Sequence, residues 1–236
     1  MCGRFSLSVN PKAIAEQFGL EPGAMGMLAP RYNIAPTQPV AVVRLAPGRR
    51  TRQWTHLQWG LVPSWAKDPT IGQRMINARA ETLAEKPSFR SALKWRRCLV
   101  PASGFYEWRK GPDGKVPYHI HRRDHGPLAF AGLWEHWIGQ DGSELETCVI
   151  VTTAANEMMT PLHARMPVIL PPEEYSLWLD PAVDKPGPLA PLLAPRDWSD
   201  MQADAVSTYV NNARNEGPQC IEPSGLPGGA GDSNQP

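Results

Sequence analysis

Cys2 stands directly behind the initiator methionine in the opening stretch MCGRFSLSVN. A small residue after Met1 is the situation in which the methionine is usually trimmed, and trimming gives Cys2 a free α-amine and a thiol on adjacent carbons. An α-amine titrates near pH 7.7–8.0 and a thiol near about 8.5, so a useful fraction of each is nucleophilic at neutral pH without deep tuning. An aldehyde meeting this pair forms an imine, which the thiol closes to a five-membered thiazolidine. By position alone, a second residue is an incidental, frayed terminus.

Three internal stretches add groups that handle protons and anions. INARAET carries Asn77, Arg79 and Glu81 at a transition into a helix, where an ordinary capped helix start explains them equally well. PASGFYEW sets Glu107 between Tyr106 and Trp108. On an alternating strand such a carboxylate faces solvent, or, turned into an apolar pocket, keeps its proton to higher pH and shuttles it. LHARMPVIL places His163 and Arg165 two residues apart, on one face of a strand, where one titrates near neutrality and the other holds an anion. A cysteine, a histidine and an acid are also a set capable of acyl transfer.

The elements that must position these residues are mostly strands. CGRFSLSV, PVAVVRLA, HLQWGLVPSW, CLVPASGFYEWR, VPYHIHRR, PLAFAGLWEHWI, LETCVIVTTAA, RMPVILP and DAVSTYVNN are rich in β-branched and aromatic residues and bounded by Gly, Pro or Asp. Helices are predicted for PKAIAEQFG with Pro11 at its start, ARAETLAEKPSFRSALKWRR broken at Pro87, ANEMMTPLH, and PPEEYSLWL. This pattern predicts an α+β fold with a curved, barrel-like, mostly antiparallel β core and peripheral helices. No repeat or linker divides residues 1–223, and the Gly/Pro/Ser-rich residues 224–236 read as a disordered tail.

Composition narrows the function. A chain of 236 residues, 42% hydrophobic and 20% charged, has the profile of a globular protein with a sizeable core. No run approaches the ~18 apolar residues of a membrane span and no secretory pattern opens the chain, so the expectation is a cytoplasmic protein, a monomer by default. Cys2, Cys98, Cys148 and Cys220 lie far apart, with no C-x-x-C pair and no histidine at metal spacing; they read as reduced thiols, with no metal and no cofactor. A net charge of +1 excludes a broad polybasic surface, so any nucleic-acid contact must come from particular arginines. Nine tryptophans allow some aromatic stacking, although most tryptophans are core residues.

Taken together and in order, MCGRF, RYNIAPTQ, WGLVPSW, INARAET, RRCLVPASGFYEW, LHARMPVIL and VNNARNEGP resemble the SOS-response-associated peptidase (SRAP) family of abasic-site processing proteins. The resemblance runs from Cys2 to about Pro223. It implies a single SRAP-like domain with a positively charged groove, in which the exposed Cys2 crosslinks to the ring-opened aldehyde of an abasic site in single-stranded DNA. It further implies that Asn77 holds the sugar or the N-terminal backbone, that Glu107 is the acid/base residue, and that His163 protonates the sugar oxygen or promotes reversal. Arg4, Arg79 and Arg165 would contact phosphates. Trp65 and Trp108 are candidates for stacking on neighbouring bases. The family name carries a second activity, a thiol autopeptidase acting on the Met1–Cys2 bond. A non-covalent single-strand-binding module is the remaining alternative.

Overall fold

The computed structural model describes residues 2–224 apart from Pro22, Pro47, Arg49, Pro112 and Asp113. The strands in chain order are β1 (Phe5–Leu7), β2 (Arg31–Ile34), β3 (Pro39–Leu45), β4 (Arg52–Trp59), β5 (Asn77–Arg79), β6 (Arg97–Ala102), β7 (Gly104–Gly111), β8 (Gly114–Arg122), β9 (Leu128–Ile138), β10 (Glu144–Ala154), β11 (Arg165–Pro167) and β12 (Met201–Ala205). The α-helices are α1 (Pro11–Phe18), α2 (Arg90–Trp95) and α3 (Tyr175–Leu179). The tail 225–236 lies outside the described residues.

Two sheets are formed. One runs β12-β8-β7-β1-β2. In the other, β10, β4, β3, β6 and β9 pair in succession, and β9 pairs back onto β10, so the strands close into a five-stranded ring. Closure removes sheet edges that would otherwise present unpaired backbone groups. β5 runs parallel to the C-terminal half of β10, and β11 pairs antiparallel with its end. The two sheets share one core: the Phe5 ring meets Trp59 at 5.2 Å and Phe130 at 6.0 Å, and Phe105 meets Phe130 at 5.9 Å, all edge-on.

Strand alternation gives β7 and β8 two distinct faces. Phe105, Glu107, Tyr118 and Ile120 face the ring, whereas Tyr106, His119 and His121 face outward. The outer face is covered by the segment after β12, which builds a second small core from Tyr106, Val206, Val210 and Cys220.

The helix expectations divide. PKAIAEQFG forms α1, with Pro11 in its first turn, Asn10 Oδ1 accepting the Lys12 N–H at 2.8 Å and Gly19 closing it at φ +60°. PPEEYSLWL forms a 3₁₀ turn over Pro172–Glu174 that continues into α3. In ARAETLAEKPSFRSALKWRR only Arg90–Trp95 is α-helical, because Asn77–Arg79 supplies backbone pairing to β10. ANEMMTPLH makes turns closed by Asn156, whose carbonyl accepts from Met159 and Thr160, and forms no helix. HLQWGLVPSW stops being a strand after Trp59, since Gly60 takes φ +129° and a Cβ there would lie 2.5 Å from the Gly72 carbonyl oxygen. No helix among the described residues is long and apolar enough to cross a membrane.

Candidate functional site

Cys2 is wholly buried just ahead of β1. The Arg4 carbonyl accepts the Tyr106 N–H at 2.9 Å, and the antiparallel register of β1 with β7 brings the chain's start alongside Glu107. From the other sheet, Asn77 Nδ2 donates to the Cys2 carbonyl at 2.8 Å. The position of Asn77 is fixed by its neighbours: Trp59 Nε1 donates to the Ile76 carbonyl at 2.8 Å, and Asn77 stands opposite Ile150 on β10. The Gly60–Gly72 approach lets the intervening loop fold back so that β5 starts there. Asn77 Oδ1 is buried and has no partner among the described residues.

Electrostatics tie the remaining members together. Burial pushes the Cys2 thiol well above its ordinary value, and the Glu107 charge adds to this. Burial likewise raises Glu107, which is 5% exposed, while the nearby charge of His163 and the Trp108 N–H act in the opposite direction. His163 lies just before β11, where its Nδ1 accepts the Arg165 backbone N–H at 2.9 Å. That bond holds the ring in place beside β11. The cluster thus sets a protonated thiol, a carboxyl that holds its proton to higher pH than usual and an oriented imidazole around one backbone position. Because Met1 precedes Cys2, the Cys2 α-nitrogen is a peptide nitrogen until the methionine leaves.

The structure therefore gathers Cys2, Asn77, Glu107 and His163, from four separate stretches of sequence. Arg79 is exposed two residues after Asn77. Arg165 forms a bidentate pair with Glu81, at 2.5 and 3.0 Å, and donates to the Thr152 carbonyl at 2.7 Å. Arg4 is committed to the protein's own oxygens, Asn33 Oδ1 at 2.6 Å and the Val210 carbonyl at 2.9 Å, with its guanidinium 5.8 Å from the Trp108 ring centre. Trp65 is 59% exposed on a turn whose Ala66 carbonyl accepts the Trp137 Nε1–H.

Sequence reasoning passed over Asn33. Its buried side chain donates to the Val210, Asn212 and Asn215 carbonyls at 3.3, 3.0 and 2.8 Å, clamping the VNNARNEGP stretch beside Arg4. Trp108 Nε1 donates to Asn211 Oδ1 at 2.7 Å, so the same stretch also fixes that indole. An asparagine between Tyr32 and Ile34 in the RYNI strand was the available signal. Among the described residues no three His, Cys, Asp or Glu side chains are grouped to hold a metal ion.

The family described as SOS response associated peptidase (SRAP) matches residues 1–213. The chain is 46% identical over 224 residues to the abasic site processing protein YoqW of Bacillus subtilis, covering 94% of this chain and 99% of that one. It is 34% identical to the abasic site processing protein HMCES of Gallus gallus, over 84% of this chain and 67% of that protein. A solved structure of a Bacteroides thetaiotaomicron protein aligns with a TM-score of 0.83 at 29% identity, covering 94% of this chain and all of the other.

Proposed function

The chain belongs to the SRAP family, and from that premise we propose that it processes abasic sites by covalent capture through Cys2. The observation that carries this reading is the grouping of buried Cys2 with Glu107, on which the charge of His163 acts in turn, and the Asn77 amide that holds the Cys2 backbone at 2.8 Å. Once Met1 is gone, the Cys2 amine adds to the aldehyde carbon of the ring-opened sugar and water leaves, giving an imine. The thiol then adds to the imine carbon and its proton passes to the nitrogen, closing a thiazolidine. Glu107, holding its proton to unusually high pH, donates to the leaving hydroxyl and takes a proton back in the reverse step. His163, whose charge acts on Glu107, serves the sugar oxygen, and Asn77 keeps the nucleophile in place.

Capture removes the free aldehyde that drives strand cleavage, so the protein shields the site. A single strand presents the missing base without flipping, which favours it as substrate. Arg79 takes a flanking phosphate, Arg165 takes one by exchanging Glu81 for the strand, Arg4 orders the 210–216 stretch, and Trp65 and Trp108 stack on bases. One domain, residues 1–223, does this as a cytoplasmic monomer, with 224–236 as an appended tail.

The test is a denaturing gel of the protein with single-stranded DNA carrying one abasic site, beside Cys2→Ala and an intact-base strand. A slow band requiring both Cys2 and the abasic site is expected. No band, with intact mass showing that Met1 is absent, overturns covalent capture and leaves non-covalent binding.

The same grouping supports a second activity, autoproteolysis of the Met1–Cys2 bond by the Cys2 thiol with Glu107 and His163 moving protons. Here mass spectrometry of protein made in an aminopeptidase-free translation system decides: loss of Met1 from the wild type but not from Glu107→Gln is expected, and retention in both rules it out.

A further inference from the structure

Three clefts of about 290, 490 and 370 Å³ adjoin one another along the turn end of the β3–β4 hairpin and α2, away from Cys2. The first two share Arg50, and the last two share Trp95. Together they form a trough whose walls carry Arg50, Arg52, Arg90, Lys94, Arg96 and Arg97 against a single acid among the described residues, Asp180. Asp180 Oδ1 already accepts the Ala182 N–H at 2.9 Å. On a chain of net charge +1, this is a marked local excess of cations.

The cations differ in availability. Arg96 is neutralised by Glu135 at 2.8 Å, and Arg52 donates to the Phe18 carbonyl and Ser176 Oγ. Arg50, Arg90 and Lys94 are exposed, and no hydrogen bond or ion pair joins their side chains to another described residue. Between them stands Trp95, 53% exposed. The indole is not loosely hung. Arg97, two residues on, is buried and donates to the Leu93 and Lys94 carbonyls and to those of Trp178 and Asp180, which locks the end of α2 beneath it. A half-exposed indole on a held helix end, flanked by unpaired cations, is the combination that binds single strands: bases stack on the ring and phosphates meet the charges, without sequence preference.

We infer that this trough is a second, non-covalent binding surface for single-stranded nucleic acid. It is separate from the Cys2 cluster: Arg52 and Trp59 stand at opposite ends of β4, roughly 23 Å apart at strand rise, and Asn77 is anchored at the Trp59 end. A strand bound here reaches the protein whether or not it carries damage. The trough therefore raises the time spent on single-stranded DNA before an abasic site meets Cys2.

The test measures fluorescence anisotropy of an undamaged, labelled 20-nucleotide DNA strand on the Cys2→Ala protein, so capture chemistry plays no part. Trp95→Ala is expected to weaken binding about tenfold, with Trp95→Phe restoring most of it. Arg90→Glu with Lys94→Glu is expected to weaken binding and to flatten the slope of log K against log salt by about 1.4. Both sets of changes are on the surface and leave the melting temperature unchanged. Unchanged affinity and slope in both variants overturn the inference. So does displacement of a labelled polyglutamate, but not of DNA, on the same variants, which assigns the trough to an acidic protein partner. Either result stands apart from the abasic crosslinking gel, which reports on Cys2 alone.

Discussion

His119 makes the sheet that carries Glu107 sensitive to acid, by an amount that follows from its surroundings. Its ring is 7% exposed on the outer face of β8, between Tyr106 at 4.9 Å and His121 at 5.0 Å, with Nε2 2.9 Å from Ser6 Oγ. Gly104 makes room for it, since a Cβ there would lie 2.4 Å from Nε2. Burial, together with the charges of His121 and His125, pushes His119 down to about 3. A histidine whose folded value is depressed binds fewer protons in the native state, so stability is present above the unfolded value near 6.5 and is lost as pH falls toward 3. Between pH 7 and pH 5 the unfolded chain gains about three-quarters of a proton at this site and the native one almost none. At about 1.36 kcal/mol per unit this withdraws about 2 kcal/mol, and about 3 kcal/mol by pH 4. Urea unfolding of the wild type and His119→Gln at pH 7 and pH 5 isolates it, because the other titrating groups are common to both. The expected result is that the variant loses about 2 kcal/mol less than the wild type over this interval. Equal losses would show that His119 is already protonated in the native sheet and refute the reasoning.

Glu107 acts with the opposite sign: a raised carboxyl withdraws stability as pH rises through its titration, so Glu107→Gln is expected to melt at a higher temperature at pH 7 while slowing abasic crosslinking by roughly 10²–10⁴-fold, read by calorimetry and by gel time courses. Asn33→Ala removes the clamp on the Val210, Asn212 and Asn215 carbonyls and one partner of Arg4; about 2–3 kcal/mol is lost in urea unfolding, and limited proteolysis cuts first within 207–216. Gly60→Ala forces a Cβ to 2.5 Å from the Gly72 carbonyl at a positive φ, and is expected to lower stability by at least about 2 kcal/mol and to weaken the Asn77–Cys2 contact, seen as slower crosslinking.

Much of this was legible in one dimension, and the reason is chemical. Cys2 owes its character to its place behind Met1, and its aminothiol chemistry needs no fold to be recognised. Apolar, aromatic runs such as PLAFAGLWEHWI became β9 because such a run, bounded by turn residues, is the pattern of a strand buried for most of its length. α1 followed from Pro11, Asn10 and Gly19, whose effects are confined to a single turn of chain. What sequence could not decide were choices made between distant segments. INARAET reads locally as the start of a helix, but β10 offers Asn77–Arg79 a row of backbone groups to pair with, and long-range pairing outweighs a weak propensity. Glu107 was free to face water or the core until β7 docked on β1 and fixed which face is inside; that choice raises its proton affinity. Trp95 and Trp178 are the same residue type, yet one is half exposed above α2 and the other is wholly buried against the ring. The sequence by itself determined which reactive groups exist and where strands and caps begin. Only the tertiary structure decided which groups meet, because burial, charge and hydrogen bonding at a site come from residues brought together across the chain.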